Sequence, residues 1–125
     1  MGKQIILITG ISGRIGSKVA EYFSQDYQII GFDITPPVNQ MVIFIKVDIS
    51  SDESVLKGFE QLKKYYGDKI VSVIHLAAYY SFAEPESQKY DQITVKGTQR
   101  ILKGLVDFQL EQFIFSSTML IYKPT

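Results

Sequence analysis

The sequence predicts a three-layer α/β/α domain with a parallel sheet of about five strands. Short apolar runs without polar alternation recur along the chain, as in strands that are buried on both faces of a sheet. Segments with apolar residues at helical spacing separate several of these runs. A glycine-punctuated turn at residues 9–16 joins the first strand to the first helix. This alternation of strand and helix favours a doubly wound sheet over an all-helical or all-β fold.

The order of the elements also predicts the order of the strands. We expect strands at 4–9, 27–33, 41–47, 70–76 and 112–116, and helices at 14–24, from the capping sequence at 50–53 to Gly67, and at 87–108. Right-handed crossovers and a switch point after the first strand then give the sheet order 3-2-1-4-5. The predicted architecture is Rossmann-like, and residues 1–125 form one domain.

Local patterns predict how the helices begin and pack. Ser50 is the expected N-cap of the second helix, in a capping box with Glu53. Gly97 lies inside the third helix, where glycine costs about 1 kcal/mol relative to alanine, so we expect it to permit close approach to the sheet. The apolar face expected for the first helix consists of Ile15, Val19 and Phe23.

The turn Thr9-Gly10-Ile11-Ser12-Gly13-Arg14-Ile15-Gly16 has the layout of a phosphate-binding loop. Gly10 lets the strand turn sharply, Gly13 leaves the backbone open to a pyrophosphate, and Gly16 lets the helix approach the strand. The amides and the dipole of the helix N-terminus favour a negative charge. A glycine triplet can also make a tight loop without any ligand.

Asp33, at the end of the second strand, is the predicted ribose ligand. A carboxylate there accepts hydrogen bonds from both ribose hydroxyls and repels a 2′-phosphate; two unit charges about 4 Å apart interact by about 4 kcal/mol at an effective dielectric near 20. We therefore favour NAD over NADP as cofactor. The alternative is a solvated loop aspartate. Arg14 is open to three roles: offsetting a 2′-phosphate, contacting the pyrophosphate or facing solvent.

Further candidate residues lie at the ends of the third and fourth strands. Asp48 either accepts from the adenine amino group or caps a helix. Small residues at the end of the fourth strand would let a ligand approach the backbone. His75 is expected to be part of the fourth strand rather than a catalyst or a metal ligand. The small or apolar residues at the end of the fourth strand are Leu76, Ala77 and Ala78.

Composition argues against several other classes of protein. Acidic and basic residues balance at 13 each, and no basic block is present, so neither nucleic acid nor an anionic membrane is an expected partner. The chain has no cysteine and one histidine, which argues against disulfides and against thiolate or histidine metal sites. The apolar run at 5–8 is too short for a signal-peptide core. A cytoplasmic location is the resulting expectation.

Together these features resemble the NAD-dependent epimerase/dehydratase family, the extended short-chain dehydrogenases. The resemblance covers essentially the whole chain in order. The matching pieces are residues 9–16, Asp33, Asp48-Ile49, His75-Leu76-Ala77-Ala78, Val95-Lys96-Gly97-Thr98, Phe113-Ile114-Phe115-Ser116-Ser117-Thr118 and Tyr122.

The resemblance implies roles for individual residues. Thr118 corresponds to the residue that hydrogen-bonds the reacting oxygen of the substrate, while Ile49 and Ser116 join the cofactor-binding set. The family's catalytic tyrosine and lysine are absent, and Tyr65-x-x-x-Lys69 would lie on the wrong side of the sheet. Thr94 replaces an asparagine that is frequent in the family.

These departures suggest the N-terminal portion of a longer oxidoreductase acting on a small molecule, often a nucleotide sugar in this family. The alternatives are a non-catalytic NAD sensor and, less well supported, a flavodoxin-like domain. We also expect homo-oligomers, formed through the apolar fifth strand (Phe113, Ile114 and Phe115) or through the long third helix.

Overall fold

The structure, a computed structural model, describes residues 3–77 and 95–115. Five strands and three α-helices lie in these ranges. In chain order they are β1 (Ile5–Thr9), α1 (Arg14–Phe23), β2 (Gln28–Asp33), β3 (Ile43–Lys46), α2 (Asp52–Tyr66), β4 (Lys69–His75), α3 (Lys96–Gly104), a 3₁₀ helix (Leu105–Asp107) and β5 (Gln109–Phe115).

The five strands form one parallel sheet in the order β3-β2-β1-β4-β5, which confirms the predicted Rossmann-like topology. β1 is central, and all five of its residues are buried. Thr9, its last residue, is in register with Phe32 on β2 and with His75 on β4. The carboxyl ends of the three central strands therefore meet at one edge of the sheet, where ligands of open α/β sheets bind.

Two apolar clusters cover the two faces of the sheet and complete the three layers. On one face, Leu7, Phe32 and Val73 pack with residues of α2 and α3, including Phe59 and Ile101. On the other face, the buried members are Ile6, Ile8, Ile11, Ala20 and Ile29, with α1 lying over them. No helix within residues 3–77 and 95–115 is long and apolar enough to cross a membrane.

The N-cap predicted for α2 is wrong by one residue. Ser51 is the cap, and its hydroxyl accepts a hydrogen bond from the amide of Ser54 at 3.1 Å. Ser50 is instead held by Asp48, whose Oδ1 accepts from both the amide and the hydroxyl of Ser50. Glu53 is exposed and pairs with Lys57 across one helical turn. Because Ser50 is hydrogen-bonded to Asp48, it does not cap the helix, and α2 begins one residue later than predicted.

The apolar face predicted for α1 is only partly correct. Val19 and Phe23 pack against the sheet as expected. Ile15, however, is 61% exposed, and the buried residues of α1 are Gly16 and Ala20. The small residues let the helix backbone approach the end of β1, and Ile15 lies about 100° around the helix from Gly16. Ile15 therefore projects beside the glycine turn rather than into the core.

Several boundaries also differ from those predicted. β3 is shorter than expected, and β5 begins three residues earlier, at Gln109. α3 ends at Gly104 and continues as the 3₁₀ helix, while the predicted residues 87–94 of this helix lie outside the described ranges. Gly97 does permit a close approach, but to a side chain: a Cβ there would lie 2.7 Å from Cδ1 of Ile49.

Candidate dinucleotide site

The glycine turn begins with a backbone conformation that only glycine adopts readily. Gly10 has φ +75°, and its amide donates to the carbonyl of Phe32 at 2.9 Å. The amide of Gly13 in turn donates to the carbonyl of Gly10 at 3.1 Å. A Cβ on Gly16 would overlap that same carbonyl oxygen. The sharp turn and the close helix approach predicted for Gly10 and Gly16 are thus what the structure shows.

Ile11 anchors the turn to the sheet, a contact that the sequence analysis missed. Its side chain is fully buried and lies over Gly31 of β2, where an added Cβ would be 2.6 Å from Cγ1 of Ile11. Gly31 is the feature of the sequence that could have indicated this contact, because a glycine inside an apolar strand often marks a place where another group approaches the backbone closely. With Ile11 held in the core, the neighbouring residues Ser12 and Gly13 are fixed at the sheet edge.

Asp33 lies directly beside this turn. Its Oδ2 accepts hydrogen bonds from the amide and the hydroxyl of Ser12, at 2.9 and 2.6 Å, and its Oδ1 accepts from the amide of Ile34 at 2.7 Å. The carboxylate is thus oriented by three donors and remains at the surface. The structure brings together two features that the sequence separates by some 20 residues, the glycine turn and the acid after β2.

The N-terminus of α1 is the third part of the site. Its N-cap is Gly13, which has no side chain to cap the first amides of the helix. Arg14 and Ile15, in the first turn, are both exposed. By contrast, the N-terminus of α2 is capped by Ser51. The α1 end therefore presents its positive dipole and its first amides toward the crevice without a competing cap.

Asp48 and Ile49 follow β3 and complete this side of the crevice. The amide of Val47 donates to the carbonyl of Asp33 at 3.0 Å, which ties the two strand ends together. Asp48 is half-buried, its Oδ1 accepts from Ser50, and its amide donates to the hydroxyl of Ser54 at 2.8 Å. Asp48 shapes the loop before α2, while Ile49 is buried.

The end of β4 is held by a chain of buried hydrogen bonds, which the sequence analysis also missed. The hydroxyl of Thr9 lies 3.0 Å from the amides of both Leu76 and Ala77. It also lies 2.6 Å from Nδ1 of His75, and Nε2 of His75 is 2.9 Å from the hydroxyl of Thr98. His75 is part of the strand, as predicted, and burial lowers its pKa to about 4. The imidazole is therefore neutral at pH 7.

Several positions singled out in the sequence fall outside the part of the chain that the structure describes. Ala78, Ser116 and Thr118 lie outside the described residues, as do Thr94 and Tyr122. No cluster of three or more potential metal ligands occurs within residues 3–77 and 95–115.

The opposite edge of the sheet carries a shallow depression of about 460 Å³, lined by residues that include Tyr66, Lys69 and Gln109. Lys69 begins β4 and Tyr65 lies near the end of α2, so Tyr65-x-x-x-Lys69 is far from the glycine turn. This position agrees with the expectation that the pair lies on the wrong side of the sheet.

The family model for the NAD dependent epimerase/dehydratase family matches residues 6–125. The chain belongs to this family. A nicotinamide dinucleotide is the cofactor that the family name specifies, and the glycine turn and Asp33 occupy the crevice where such folds bind it.

The chain spans only part of the length of two curated relatives that it matches. Short-chain dehydrogenase/reductase family 42E member 1 of Danio rerio is 29% identical over 118 residues, which cover 90% of this chain and 28% of the relative. The dTDP-D-glucose 4,6-dehydratase of Dictyostelium discoideum is 30% identical over 135 residues, covering 95% of this chain and 30% of the relative. The epimerase/dehydratase chain thus spans less than a third of either relative.

Solved structures that share the fold of this chain differ from one another in the cofactor that their names give. A short-chain dehydrogenase/reductase superfamily protein from Agrobacterium tumefaciens with bound NAD has a TM-score of 0.74 and 24% identity, over 95% of this chain and 34% of that one. ElxO with NADP bound has a TM-score of 0.79 and 16% identity, over 98% of this chain and 58% of that one. The fold alone therefore leaves NAD and NADP open.

Proposed function

We propose that this chain binds NAD, in preference to NADP, as the dinucleotide-binding part of an epimerase/dehydratase-type oxidoreductase. The observation that carries the proposal is the direct contact between the glycine turn and Asp33 through Ser12. A phosphate at Gly13 and the α1 N-terminus, and a ribose at Asp33, would be neighbouring parts of one ligand.

The preference for NAD rests on the charge of Asp33. Its carboxylate lies at the crevice, and its donors among the described residues are neutral: the amide and hydroxyl of Ser12 and the amide of Ile34. A ribose hydroxyl can donate to such an oxygen, whereas a 2′-phosphate would be repelled by it. Arg14 is exposed at the start of α1, and we assign it to the pyrophosphate rather than to a 2′-phosphate.

Other predicted residues receive roles within the same proposal. Asp48 accepts from the adenine amino group, with Ile49 packed behind it, while Ile15 borders the phosphates. We assign Leu76 and Ala77 to the nicotinamide half of the cofactor, and we propose the same role for Ala78 and Ser116, which lie outside the described residues. Thr118 hydrogen-bonds the reacting oxygen of the substrate in the longer protein to which this chain would belong.

For that longer protein we propose a nucleotide sugar as substrate. The support is the 30% identity to a relative whose name specifies dTDP-D-glucose. NAD supplies a hydride acceptor in this chemistry, and the residues of this chain hold it in place and orient the sugar oxygen. Turnover of dTDP-glucose compared with free glucose by the full-length protein tests the substrate.

Isothermal calorimetry of the 125-residue chain against NAD and NADP tests the cofactor proposal. Asp33→Asn removes the negative charge and so weakens the hydrogen bonds from the ribose, because a hydrogen bond to a charged group is worth about 1.5–3 kcal/mol. The affinity for NAD should therefore fall about tenfold or more, and the preference for NAD over NADP should decrease. Asp26→Asn is the matched control, because Asp26 is an exposed aspartate at the other end of β2. Absence of binding to either dinucleotide would remove the proposal.

A further inference from the structure

Thr9 and His75 are neighbours at the ends of β1 and β4. They are the last residues of their strands and are paired in register. Both side chains are buried, with 0% and 3% of their surface exposed. Burial of polar groups is costly unless each donor and acceptor has a hydrogen-bond partner. The hydrogen bonds of this buried threonine and histidine therefore have to be identified.

Counting donors and acceptors around the Thr9 hydroxyl indicates the tautomer of His75. The Thr9 hydroxyl has two lone pairs and one proton. The amides of Leu76 and Ala77 both donate to it, at 3.0 Å each, and use its lone pairs, although the Leu76 amide shares its proton with the backbone carbonyl of Thr9 at 3.1 Å. Its proton must then point at Nδ1 of His75, 2.6 Å away. Nδ1 is therefore an acceptor, and the ring proton lies on Nε2, which donates to Thr98 at 2.9 Å.

We propose that His75, as the Nε2–H imidazole, is a positioning residue for the dinucleotide crevice. By accepting a hydrogen bond from the Thr9 hydroxyl, it fixes this hydroxyl in the orientation that receives the Leu76 and Ala77 amides. Through Thr98 it also ties this edge of the sheet to α3. The inference deepens the proposed function and rests on it, because the crevice so positioned is the one assigned to NAD.

The glycine turn is the element on which this positioning acts. A Cβ on Gly10 would lie 2.9 Å from the amide nitrogen of Ala77 and 3.0 Å from the carbonyl carbon of Leu76. The turn and the end of β4 thus touch backbone to backbone, with no side chain between them. A shift of residues 76–77 would therefore displace Gly10 and the amides that follow it.

A graded set of variants separates positioning from bulk stability. Thr9→Val keeps the shape but removes the hydroxyl, and His75→Leu removes the acceptor; each should raise the Kd for NAD at least about tenfold. Thr9→Ser keeps the hydroxyl and should stay within about threefold of wild type. His75→Asn places an amide oxygen near the position of Nδ1 and should fall between His75→Leu and wild type.

Ser72→Ala is the matched control for these variants. Ser72 is a buried polar residue of the same strand, and its hydroxyl contacts Gln112 at 3.5 Å, away from the crevice. It should change the denaturation midpoint without changing the Kd for NAD. If Thr9→Val and His75→Leu lose stability while their Kd values stay within threefold of wild type, the positioning role is overturned.

A second measurement does not depend on any variant folding. The chain has one histidine, so the ¹⁵N-labelled imidazole gives a single, unambiguous set of NMR signals. We expect a protonated Nε2 and an unprotonated Nδ1 at neutral pH, without averaging between tautomers. An Nδ1–H ring, or rapid exchange of tautomers, would overturn the inference.

The two proposals fail in different ways. If the wild-type chain binds NAD but the variants bind it equally well, the positioning role falls and the cofactor assignment stands. If the wild-type chain binds neither dinucleotide, the cofactor assignment falls and the positioning role falls with it.

Discussion

At the scale of single residues, the lone pairs of Asp33 limit how a ribose can bind. A carboxylate offers about four acceptor positions, two on each oxygen. Ser12 fills both positions on Oδ2, and Ile34 fills one on Oδ1. One position is left, whereas two ribose hydroxyls need two. Binding of both hydroxyls therefore requires Asp33 to release one bond from Ser12, and the hydroxyl is the group that can rotate away.

Ser12→Ala tests this exchange. The variant lacks the hydroxyl that a ribose would displace, so we expect unchanged or several-fold tighter NAD binding, with a loss of about 1 kcal/mol in the free energy of unfolding. Calorimetry and urea denaturation measure the two quantities. Ser17→Ala serves as control, since the Ser17 hydroxyl donates to the carbonyl of Arg14 and makes no contact with Asp33. A tenfold loss of NAD affinity in Ser12→Ala would show that the hydroxyl contacts the ligand instead.

His75 predicts a dependence of stability on pH. Its pKa is about 4 in the folded chain and 6.5 when exposed, so the unfolded chain binds more protons between these values. The folded state is favoured fully above pH 6.5 and loses this contribution as the pH falls toward 4, by roughly 3 kcal/mol. The ring contacts Thr9, Thr98 and Phe113, none of which titrates, so desolvation sets the shift.

Urea denaturation of wild type and His75→Asn across this pH range measures the effect as a difference. Carboxylates contribute to acid unfolding in both proteins and cancel in the comparison. The stability gap between the two proteins should narrow on acidification, because only the wild type pays the cost of protonating a buried ring. Parallel curves for the two proteins would contradict the assignment.

At the scale of elements, the approach of α3 to the loop after β3 and to α2 depends on two glycines. A Cβ on Gly97 would lie 2.7 Å from Cδ1 of Ile49, and a Cβ on Gly104 would overlap the ring of Phe59 on α2. Arg100, between them on α3, donates to the carbonyl of Ile49 at 3.0 Å and pairs with Asp52 at 2.5 Å. α3 therefore packs against both the N-terminus of α2 and the residue that follows Asp48.

Gly97→Ala should destabilise the chain although alanine is the better helix former. Overpacking costs about 1–3 kcal/mol, against a gain in helix propensity of about 1 kcal/mol. Ile49→Val removes the Cδ1 atom that the new methyl would meet, so the double variant should recover stability relative to the sum of the two single changes. A double-mutant cycle from urea denaturation measures this coupling, and additive effects would count against the contact.

The elements also show which parts of the fold the sequence could predict. Strand positions and their order followed from consecutive apolar residues, since a strand buried on both faces leaves that pattern directly. The N-cap of α2 was misplaced because Ser50, Ser51 and Ser54 all lie within reach of Asp48 or the helix end. Ile15 was misplaced because periodicity does not reveal that α1 approaches the sheet through Gly16 and Ala20.

The sequence likewise predicts some residues of the candidate site and not others. Gly10, Gly13, Gly16 and Asp33 were located from local motifs, and the structure brings the turn and the acid together. The Thr9–His75–Thr98 group was not predicted, because it joins positions separated by 66 and 23 residues and carries no local pattern. The ligand roles of these residues stay predictions that the binding experiments address.

At the scale of the whole molecule, β5 forms one edge of the described sheet, with β4 as its neighbour. Ile114 and Phe115 are 43% and 58% exposed, while Phe113 packs against the core cluster on the α2 and α3 face. An apolar strand edge with unsatisfied backbone groups is a template for pairing with another chain. The exposed apolar residues Leu102 and Val106, on α3 and the 3₁₀ helix, offer a second surface.

Two variants distinguish these routes to self-association of the 125-residue chain, which we expect at high micromolar concentration. Ile114→Lys places a charge on the edge strand, where lysine opposes pairing, and should shift sedimentation toward the monomer if β5 is the contact. Leu102→Lys should do so if the α3 surface is the contact, and each variant is the control for the other. Because Leu102 and Ile114 are both partly exposed, neither lysine needs to enter the core, so folding should be preserved. A wild-type chain that sediments as a monomer at this concentration would refute both routes.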